Sequence, residues 1–273
     1  MTTKIPLILF SGGLDSTALV YKQLQIGPCD VMYADGGQHP AKIASELVAR
    51  EKIISYLNKT CPHKVQKDFR APHISFAQTP GNRYSQPAAW LFAALSVIDN
   101  DRHSELQVGY VYSDGGFCRW LPNIENAWRE LQRFTRWHDP IPVNWPLIDL
   151  EKYQILDAID PELVNMIWVC EMPNSEGENK YSQCGKCRPC KMAKQTLAAY
   201  KETYGHTIHT KLLINRQRRA EDVKDRTKTD SEYVSKSAAM GRPFTQVRDN
   251  MPPTNHDPRP NWWFTSNADT VDK

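Results

Sequence analysis

The residues best suited to chemistry lie near the N-terminus, in the run SGGLDST from Ser11 to Thr17. Its two adjacent glycines let the backbone approach an anion closely, so that successive amide groups can point at it. The hydroxyl groups of Ser11, Ser16 and Thr17 add further donors. An apolar run over residues 5–10 precedes the segment and a helical pattern follows it, which is where α/β proteins bind phosphate groups. The pattern therefore predicts a phosphate-binding loop.

The acidic residue of this run narrows the kinds of loop to consider. Asp15 would repel a phosphate unless it orients the loop or helps to hold Mg²⁺, which is our hypothesis for it. The Walker A motif requires a lysine that this run lacks, and the dinucleotide fingerprint Gly-x-Gly-x-x-Gly is also absent. The ordinary alternative is a glycine-rich turn capped by serine. We disfavour it because every position from Ser11 to Thr17 suits a phosphate-binding loop between a strand and a helix.

Four of the seven cysteines form a second chemical cluster. Cys184, Cys187 and Cys190 are separated by gaps of two residues, and Cys170 lies upstream of them. Thiolates at such short spacings converge on a tetrahedral metal, which predicts a structural zinc site. An iron–sulfur cluster is the competing interpretation, but the bacterial ferredoxin run ends in a fourth cysteine, whereas Lys191-Met-Ala-Lys follows here.

The overall composition is typical of a soluble globular protein. The 273 residues are 40% hydrophobic and 24% charged, and the formal net charge of +3 does not by itself indicate nucleic-acid binding. We find no apolar run of the roughly 20 residues that a membrane helix needs, and residues 1–10 resemble a buried strand rather than a signal peptide. We therefore expect a cytoplasmic protein without disulfides and without a membrane partner. The remaining cysteines, interpreted as small buried apolar residues, are Cys29, Cys61 and Cys118.

The chemical residues fall between alternating strand and helix patterns. A strand over 5–10, a helix over 15–25, a strand over 30–34 and a helix over 41–57 predict a βαβ unit. This predicts an α/β fold of the Rossmann-like type, with a parallel sheet and helices on both faces. Further patterns predict helices over 87–98, 124–137, 152–159 and 192–200, and a strand over 106–111.

The chain changes in composition after about residue 215, where charged and hydroxyl side chains replace most aliphatic ones. We predict a catalytic domain over 1–205 that includes the cysteine region 170–190, and a polar, irregular extension over 206–273. The extension carries Trp262 and Trp263, which are suited to anchor it on the domain or on a partner.

The run from Ser11 to Thr17 resembles the signature of the PP-loop N-type ATP pyrophosphatases, Ser-Gly-Gly-x-Asp-Ser-Thr. The resemblance implies an adenine nucleotide alpha hydrolase-like fold and cleavage of ATP between its α- and β-phosphates. AMP would go onto a carboxylate or carbonyl oxygen while pyrophosphate stays in the loop. A nitrogen or sulfur nucleophile would then displace AMP.

Together with the cysteine cluster, further segments resemble the 7-cyano-7-deazaguanine synthase family over residues 5–200. They are Asp35-Gly36-Gly37-Gln38-His39 with Glu46-Leu47, Gly109 through Pro122-Asn123, and Pro146-Leu147 with Lys152. The reaction implied takes 7-carboxy-7-deazaguanine, ammonia and ATP to the nitrile, through adenylation of the carboxylate, amide formation and a second activation for dehydration. Family members pair as homodimers, so a homodimer is also implied.

The resemblance implies a set of site residues and three cofactors, namely ATP, Mg²⁺ and Zn²⁺. The catalytic residues would be Asp15, Ser16 and Lys152. The ATP-binding residues would be Phe10, Ser11, Gly12, Gly13, Leu14, Asp15, Ser16, Thr17, Ala34, Asp35 and Gly36. The zinc ligands would be Cys170, Cys184, Cys187 and Cys190.

Three departures from the family pattern keep alternatives open. Residues 83–87 replace a Val-Pro-Gly-Arg-Asn loop, Gly36 replaces a tyrosine, and Asn123 replaces an aspartate. One alternative is a relative that conjugates a deazaguanine carboxylate to another amine, such as that of a protein acceptor docked on 206–273. The others are a transfer-RNA-modifying PP-loop enzyme and a non-enzymatic zinc-bearing binding module.

Overall fold

The computed structural model describes residues 3–36, 38–73, 86–112, 120–135, 139–177 and 180–213. Three segments singled out in the sequence lie wholly or partly outside these residues. They are residues 83–85 of the departing loop, residues 113–119 of the segment from Gly109 to Asn123 (with Cys118 among them) and nearly all of the extension 206–273.

Five strands form one parallel sheet. They are β1 (Ile5–Leu9), β2 (Cys29–Tyr33), β3 (Val65–Arg70), β4 (His103–Val108) and β5 (Val143–Asn144), in the spatial order β3-β2-β1-β4-β5. A separate antiparallel hairpin consists of β6 (Asn174–Gly177) and β7 (Lys180–Ser182). The predicted α/β class with a Rossmann-like parallel sheet is confirmed.

Helices connect the strands and flank the sheet. They are α1 (Leu14–Ile26), α2 (Pro40–Thr60), α3 (Gln86–Leu95), α4 (Leu121–Arg133), α5 (Lys152–Ala158), α6 (Pro161–Val164) and α7 (Arg188–Tyr204). Across the described ranges, none of these helices combines the length and the apolar character needed to cross a membrane.

Neighbouring residues of β1 build separate cores on the two faces of the sheet. Ile8 packs with residues of α1, α2, α5 and α6, whereas Leu7 packs with residues of α3 and α4. Val31 and Met32 of β2 divide between the two cores in the same way. Because both faces are covered, β1 is apolar along its whole length, which is why the sequence shows a continuous apolar run there.

The strand order reverses at β1, with β2 and β3 on one side and β4 and β5 on the other. In open parallel sheets, the loops that leave the strands on either side of such a reversal diverge and leave a crevice at their carboxyl ends. Gly109, just after β4, lies close to the start of α1, since a Cβ there would lie 3.0 Å from the backbone carbonyl atoms of Asp15. The end of β4 is therefore packed directly against the start of α1.

A buried charge network fastens the opposite end of the sheet. The carboxylate of Asp30 is fully buried and contacts Arg102, the Nε2 atom of His103 at 3.1 Å and the amide of Lys67 at 2.9 Å. Burial alone would raise the pKa of Asp30, but its bonds to Arg102 and His103 outweigh burial and lower it. The Nδ1 atom of His103 accepts a hydrogen bond from the amide of Asp99 at 2.9 Å, so a neutral ring with its proton on Nε2 satisfies both partners.

This network predicts a pH-dependent stability. Burial, the largest cause, lowers the pKa of His103, whose partners are Asp30, Arg102 and the amide of Asp99. Below the unfolded histidine pKa of about 6.5, the unfolded chain binds a proton that the folded chain resists, so stability falls as the pH decreases from about 7 to 5. We expect His103→Gln to flatten the pH dependence of the melting temperature in this window, while lowering stability at neutral pH.

The matched control is His63→Gln, since His63 lies outside the network, and it should keep the wild-type slope. Equal slopes for His103→Gln and the wild type would contradict the assignment. Asp30 affects stability in a separate pH range. Because its pKa is lowered in the folded chain, the stabilisation by its carboxylate is lost only as the pH falls below about 4.

Candidate functional site

The predicted phosphate loop connects β1 to α1 in a fixed conformation. Gly12 has a φ of 81°, in the left-handed region that glycine adopts without strain. The hydroxyl of Ser11 accepts from the amide of Gly13 at 3.3 Å and lies 3.2 Å from the hydroxyl of Ser16. Ser16 in turn donates to the carbonyl of Gly13 at 3.2 Å. The serines therefore hold the loop closed on itself.

The N-terminus of α1 has no side-chain cap. Gly13 is the N-cap residue, and the first helical bond of the segment runs from the amide of Thr17 to the carbonyl of Gly13 at 2.9 Å. The amides of the first turn before Thr17 therefore lack intrahelical partners, as in every α-helix. Helix N-termini carry partial positive charge, so this one is suited to bind an anion.

An ion pair crosses the mouth of the loop. The Nζ atom of Lys152, at the start of α5, lies 3.1 Å from Oδ2 of Asp15. Both side chains are about four-fifths buried, with exposures of 20% and 19%. The lysine reaches this position because Glu151 caps α5 and forms a capping box with Gln154. The pair thus brings a cation to the edge of the loop from a distant part of the chain.

Arg50 of α2 supports the loop from behind. Its side chain is 2% exposed and donates to the carbonyl of Phe10 and to the carboxylate of Asp68. The guanidinium carbon lies 4.8 Å from the ring centroid of Phe10 and 5.2 Å from that of Tyr33. A Cβ at Gly12 would lie 3.3 Å from Cγ of Arg50, which leaves little room for a side chain.

A third contact ties the loop to the segment before the cysteines. The amide of Trp168 donates to the carbonyl of Gly12 at 3.0 Å, and its indole Nε1 donates to the carbonyl of Cys170 at 2.9 Å. Trp168 therefore connects the loop to the cysteine cluster through two hydrogen bonds.

The loop opens into a cleft of about 310 Å³ at the carboxyl ends of β1 and β2. This volume is within the range of small-molecule sites. Eight of the residues predicted from the sequence border it, namely Phe10, Ser11, Gly13, Leu14, Asp15, Ala34, Gly36 and Lys152.

Four predicted residues stand behind the cleft surface. Gly12 and Ser16 shape the loop as described above, and Thr17 is fully buried at the start of α1. Asp35 lies 3.1 Å from the Nδ1 atom of His73 and does not border the cleft.

Sequence reasoning missed the residues that α2 contributes to the cleft. Glu46 is 7% exposed, accepts from the hydroxyl of Tyr33 at 2.7 Å and lies 3.8 Å from the Nζ atom of Lys42. Burial, the largest cause, raises the pKa of Glu46. The spacing of Lys42 and Glu46, one helical turn apart, is the sequence signal that identifies a paired face of α2.

A second cavity of about 730 Å³ adjoins the cleft, between the start of α2, α3 and α4. Four side chains border both spaces, namely those of Gln38, Lys42, Gln86 and Glu171. We call this shared border the junction. A molecule in the second cavity can therefore reach a molecule in the cleft at the junction.

The four predicted zinc ligands converge. The sulfur atoms of Cys170, Cys184, Cys187 and Cys190 all lie within 4.8 Å of one another, and those of Cys170 and Cys187 are 4.0 Å apart. A tetrahedral zinc ion with Zn–S bonds of about 2.3 Å separates its sulfur ligands by about 3.8 Å, so the arrangement fits. The cluster can hold a metal such as zinc, as predicted.

Backbone amides favour the thiolate form within the cluster. The sulfur of Cys184 accepts from the amides of Lys186 and Cys187 at 3.4 and 3.3 Å, and these bonds lower the pKa of Cys184 to about 6. The sulfur of Cys170 accepts from the amide of Cys184 at 3.2 Å. Amide donors of this kind stabilise metal-bound thiolates.

The cluster also shapes one wall of the cleft. Cys187 is the N-cap residue of α7, whose next residues include Pro189, Met192 and Thr196, and all three border the cleft. On the other side of the cluster, Glu171 follows Cys170 directly and lies at the junction. A metal held here would fix the wall rather than enter the cleft.

Comparison with known proteins assigns no family to the chain. No protein-family model matches it, and no curated protein sequence matches it at a significant level. The function is therefore argued from the site itself.

We expect Cys187→Ser to lose bound metal and stability together, because three ligands hold zinc less tightly and metal binding contributes folding free energy. Elemental analysis should show loss of zinc, and the free energy of unfolding should fall by about 2 kcal/mol or more, a shift of roughly 5 °C in a chain of this size.

Cys61→Ser makes the same chemical change at a buried cysteine outside the cluster, and it should keep its metal. Zinc retained at the wild-type ratio in Cys187→Ser would exclude Cys187 as a ligand.

Proposed function

We propose that this chain uses ATP to adenylate the carboxylate of 7-carboxy-7-deazaguanine, and then converts the product through the amide to 7-cyano-7-deazaguanine. The observation that carries the ATP chemistry is the uncapped N-terminus of α1, which lies behind the loop of Gly12 and Gly13 at the edge of a cleft. The identity of the acid rests on the resemblance of residues 5–200 to the synthase family.

The loop is suited to hold pyrophosphate in particular. A leaving pyrophosphate develops negative charge, and preorganised amide dipoles stabilise such charge without rearrangement. The hydrogen bonds of Ser11 and Ser16 keep the loop amides oriented before a ligand arrives. The positive end of α1 adds to this field over the first turn.

Asp15 and Lys152 have complementary roles in the proposal. Lys152 would contact the phosphate chain and offset the charge that develops on the bridging oxygen as it leaves. Asp15 holds Lys152 in place at 3.1 Å and would also provide a carboxylate ligand for Mg²⁺ bound to the phosphates. Bound Mg²⁺ would supply charge neutralisation of the polyphosphate.

The adenosine would occupy the part of the cleft beyond β2. Ala34 and Gly36 border the cleft there and carry little side-chain volume, which leaves room for a ring. Trp90 and Val169 contribute apolar surface on the opposite walls. Adenine sites of this kind lie outside the carboxyl ends of parallel strands.

The reaction balances in three stages. First, a carboxylate oxygen of the acid attacks the α-phosphorus of ATP, and the bond to the β-phosphate breaks to release pyrophosphate. Ammonia then attacks the acyl carbon, AMP leaves and an amide forms. A second ATP adenylates the amide oxygen, and loss of AMP with two N–H protons gives the nitrile. The chain's residues bind and orient these groups, which accounts for much of the acceleration in such transfers.

The cysteine cluster has a structural role in this scheme. Four sulfur ligands complete a tetrahedral zinc site and leave no position for a substrate. The homodimer and a protein acceptor on the extension 206–273 stay predictions.

The test is a mass-spectrometric product assay with ATP, Mg²⁺, ammonia and 7-carboxy-7-deazaguanine, run beside acid-dependent exchange of labelled pyrophosphate into ATP. We expect exchange that requires the acid, together with a product at the nitrile mass and released AMP. Pyrophosphate exchange without formation of the nitrile would support adenylation of the acid and indicate that an amine other than ammonia is the acceptor. Absence of both would overturn the proposal.

Asp15→Asn should lower the exchange rate about 100-fold, because it removes the charge that positions Lys152 and binds Mg²⁺. Its melting temperature should fall by a few degrees at most, since asparagine keeps the side-chain volume and its Oδ1 can still accept a hydrogen bond from Lys152. Asp149→Asn is the matched control, because Asp149 is exposed and does not border the cleft. An exchange rate in Asp15→Asn equal to that of the control would exclude the assigned role.

A further inference from the structure

The cleft contains a buried carboxylate that the steps with ATP leave unused. Glu46 of α2 borders the cleft and is only 7% exposed. Adenylation needs no proton acceptor, because the attacking carboxylate of the acid is already ionised. The amine step that follows does release a proton, since ammonia loses an N–H bond as the amide forms. A base placed in the cleft would accelerate this step.

The two oxygen atoms of this carboxylate have different surroundings. Oε2 accepts from the hydroxyl of Tyr33 at 2.7 Å, which fixes the orientation of the group. Oε1 lies 3.8 Å from the Nζ atom of Lys42, beyond hydrogen-bond distance, and within the described ranges it accepts no hydrogen bond. One oxygen is therefore anchored, while the other keeps its lone pairs available to a ligand.

The charged groups around Glu46 come from several parts of the chain. Lys42 and Arg50 of the same helix favour its ionised form, as does the hydroxyl of Tyr33. Glu171, which also borders the cleft, disfavours it. Burial is the largest cause and raises the pKa of Glu46 above the usual carboxyl value. A carboxylate with a raised pKa is the stronger base, since that pKa lies closer to the operating pH.

Other titratable side chains near the cleft are less well suited to accept this proton. Asp15 is paired with Lys152 at the mouth of the loop. Glu171 is exposed, so water competes for its oxygen atoms. His39 borders the second cavity but not the cleft, and its Nδ1 atom already accepts from the amide of Ala41 at 3.2 Å. The anchored carboxylate of α2 is therefore the base best placed in the cleft.

We infer that Glu46 is the general base of the amine step, an assignment that rests on the proposed function. Ammonia forms a C–N bond with the acyl carbon of the adenylate, and the nitrogen of the adduct becomes positively charged. The carboxylate of Glu46 takes one N–H proton from that nitrogen. The C–O bond to AMP then breaks, its electron pair leaves with the phosphate, and the neutral amide remains. Glu46 passes its proton to water before the next turnover.

The test compares two nucleophiles on the full chain with ATP, Mg²⁺ and 7-carboxy-7-deazaguanine. Glu46→Gln should lower amide formation from ammonia about 100-fold, as expected for a lost general base, while pyrophosphate exchange stays within about threefold of the wild type. Hydroxylamine should still give the hydroxamate at nearly the wild-type rate, because its adduct is more acidic and releases a proton to water without a protein base. Glutamine keeps the side-chain volume and can still accept from Tyr33, so the variant should fold.

Two further variants serve as controls. Glu51→Gln makes the same chemical change at an exposed position of α2 that does not border the cleft, and it should behave as the wild type with both nucleophiles. Tyr33→Phe removes the hydrogen bond that anchors Oε2 of Glu46. It should slow the ammonia step as well, but by less than Glu46→Gln does.

The outcomes separate this inference from the proposed function. Equal losses of exchange, amide and hydroxamate in Glu46→Gln would show a structural role and overturn the assignment. Unchanged amide formation in Glu46→Gln, or loss of the ammonia step in Glu171→Gln alone, would also overturn it. Wild-type exchange without any product from ammonia would exclude the base role and leave the adenylation intact. Absence of exchange in the wild type would instead overturn the adenylation, and with it the step that follows.

Discussion

The conformation of Gly12 determines how the rest of the site is arranged. Its positive φ turns the chain sharply out of β1, so that α1 begins beside the cleft with no side-chain cap at its N-terminus. Three separate parts of the chain hold this turn. Arg50 supports it from α2, the amide of Trp168 binds its carbonyl, and Gly109 packs against the start of α1. A turn fixed from three sides would receive an anion without reorganising, which is the condition for effective electrostatic stabilisation in the proposed function.

Charges around the turn are paired before any ligand binds. Arg50 is buried beneath the loop and neutralised by Asp68, while Lys152 is held by Asp15 at the open side. An unpaired cation beneath the loop would incur a large desolvation penalty, whereas the partly exposed pair at the mouth can exchange partners at small cost. The buried charge of Arg50 therefore supports the loop, whereas the charge of Lys152 is placed where it could contact a ligand. The cysteine cluster acts at longer range, since Trp168 links it to the carbonyl of Gly12.

How much the sequence predicts depends on whether a signal is local. The predicted phosphate loop and the cysteine cluster each lie within short segments of fixed spacing, so residue types alone are enough to predict them. The strands β3 and β5 were missed, because β3 is an edge strand with mostly exposed side chains and β5 has two residues. The strand predicted over 106–111 begins at His103 in the structure. Its start was predicted too late because His103 is polar and yet buried next to Asp30. The spacing of Lys42 and Glu46 indicates only a paired helical face, and Trp168 carries no local signal, so tertiary packing alone decides that these residues reach the site.

The two adjoining spaces impose an order on the chemistry. In the proposed reaction the acyl adenylate would form in the cleft, and the junction is where the cleft continues into the second cavity. Lys42 at the junction carries a positive charge that would suit the carboxylate before adenylation, and the neutral acyl group formed afterwards would not need it. Glu46, whose pKa is raised by burial, borders the cleft and lies 3.8 Å from Lys42. In the proposed reaction Glu46 would be the base that receives a proton when ammonia attacks the acyl carbon.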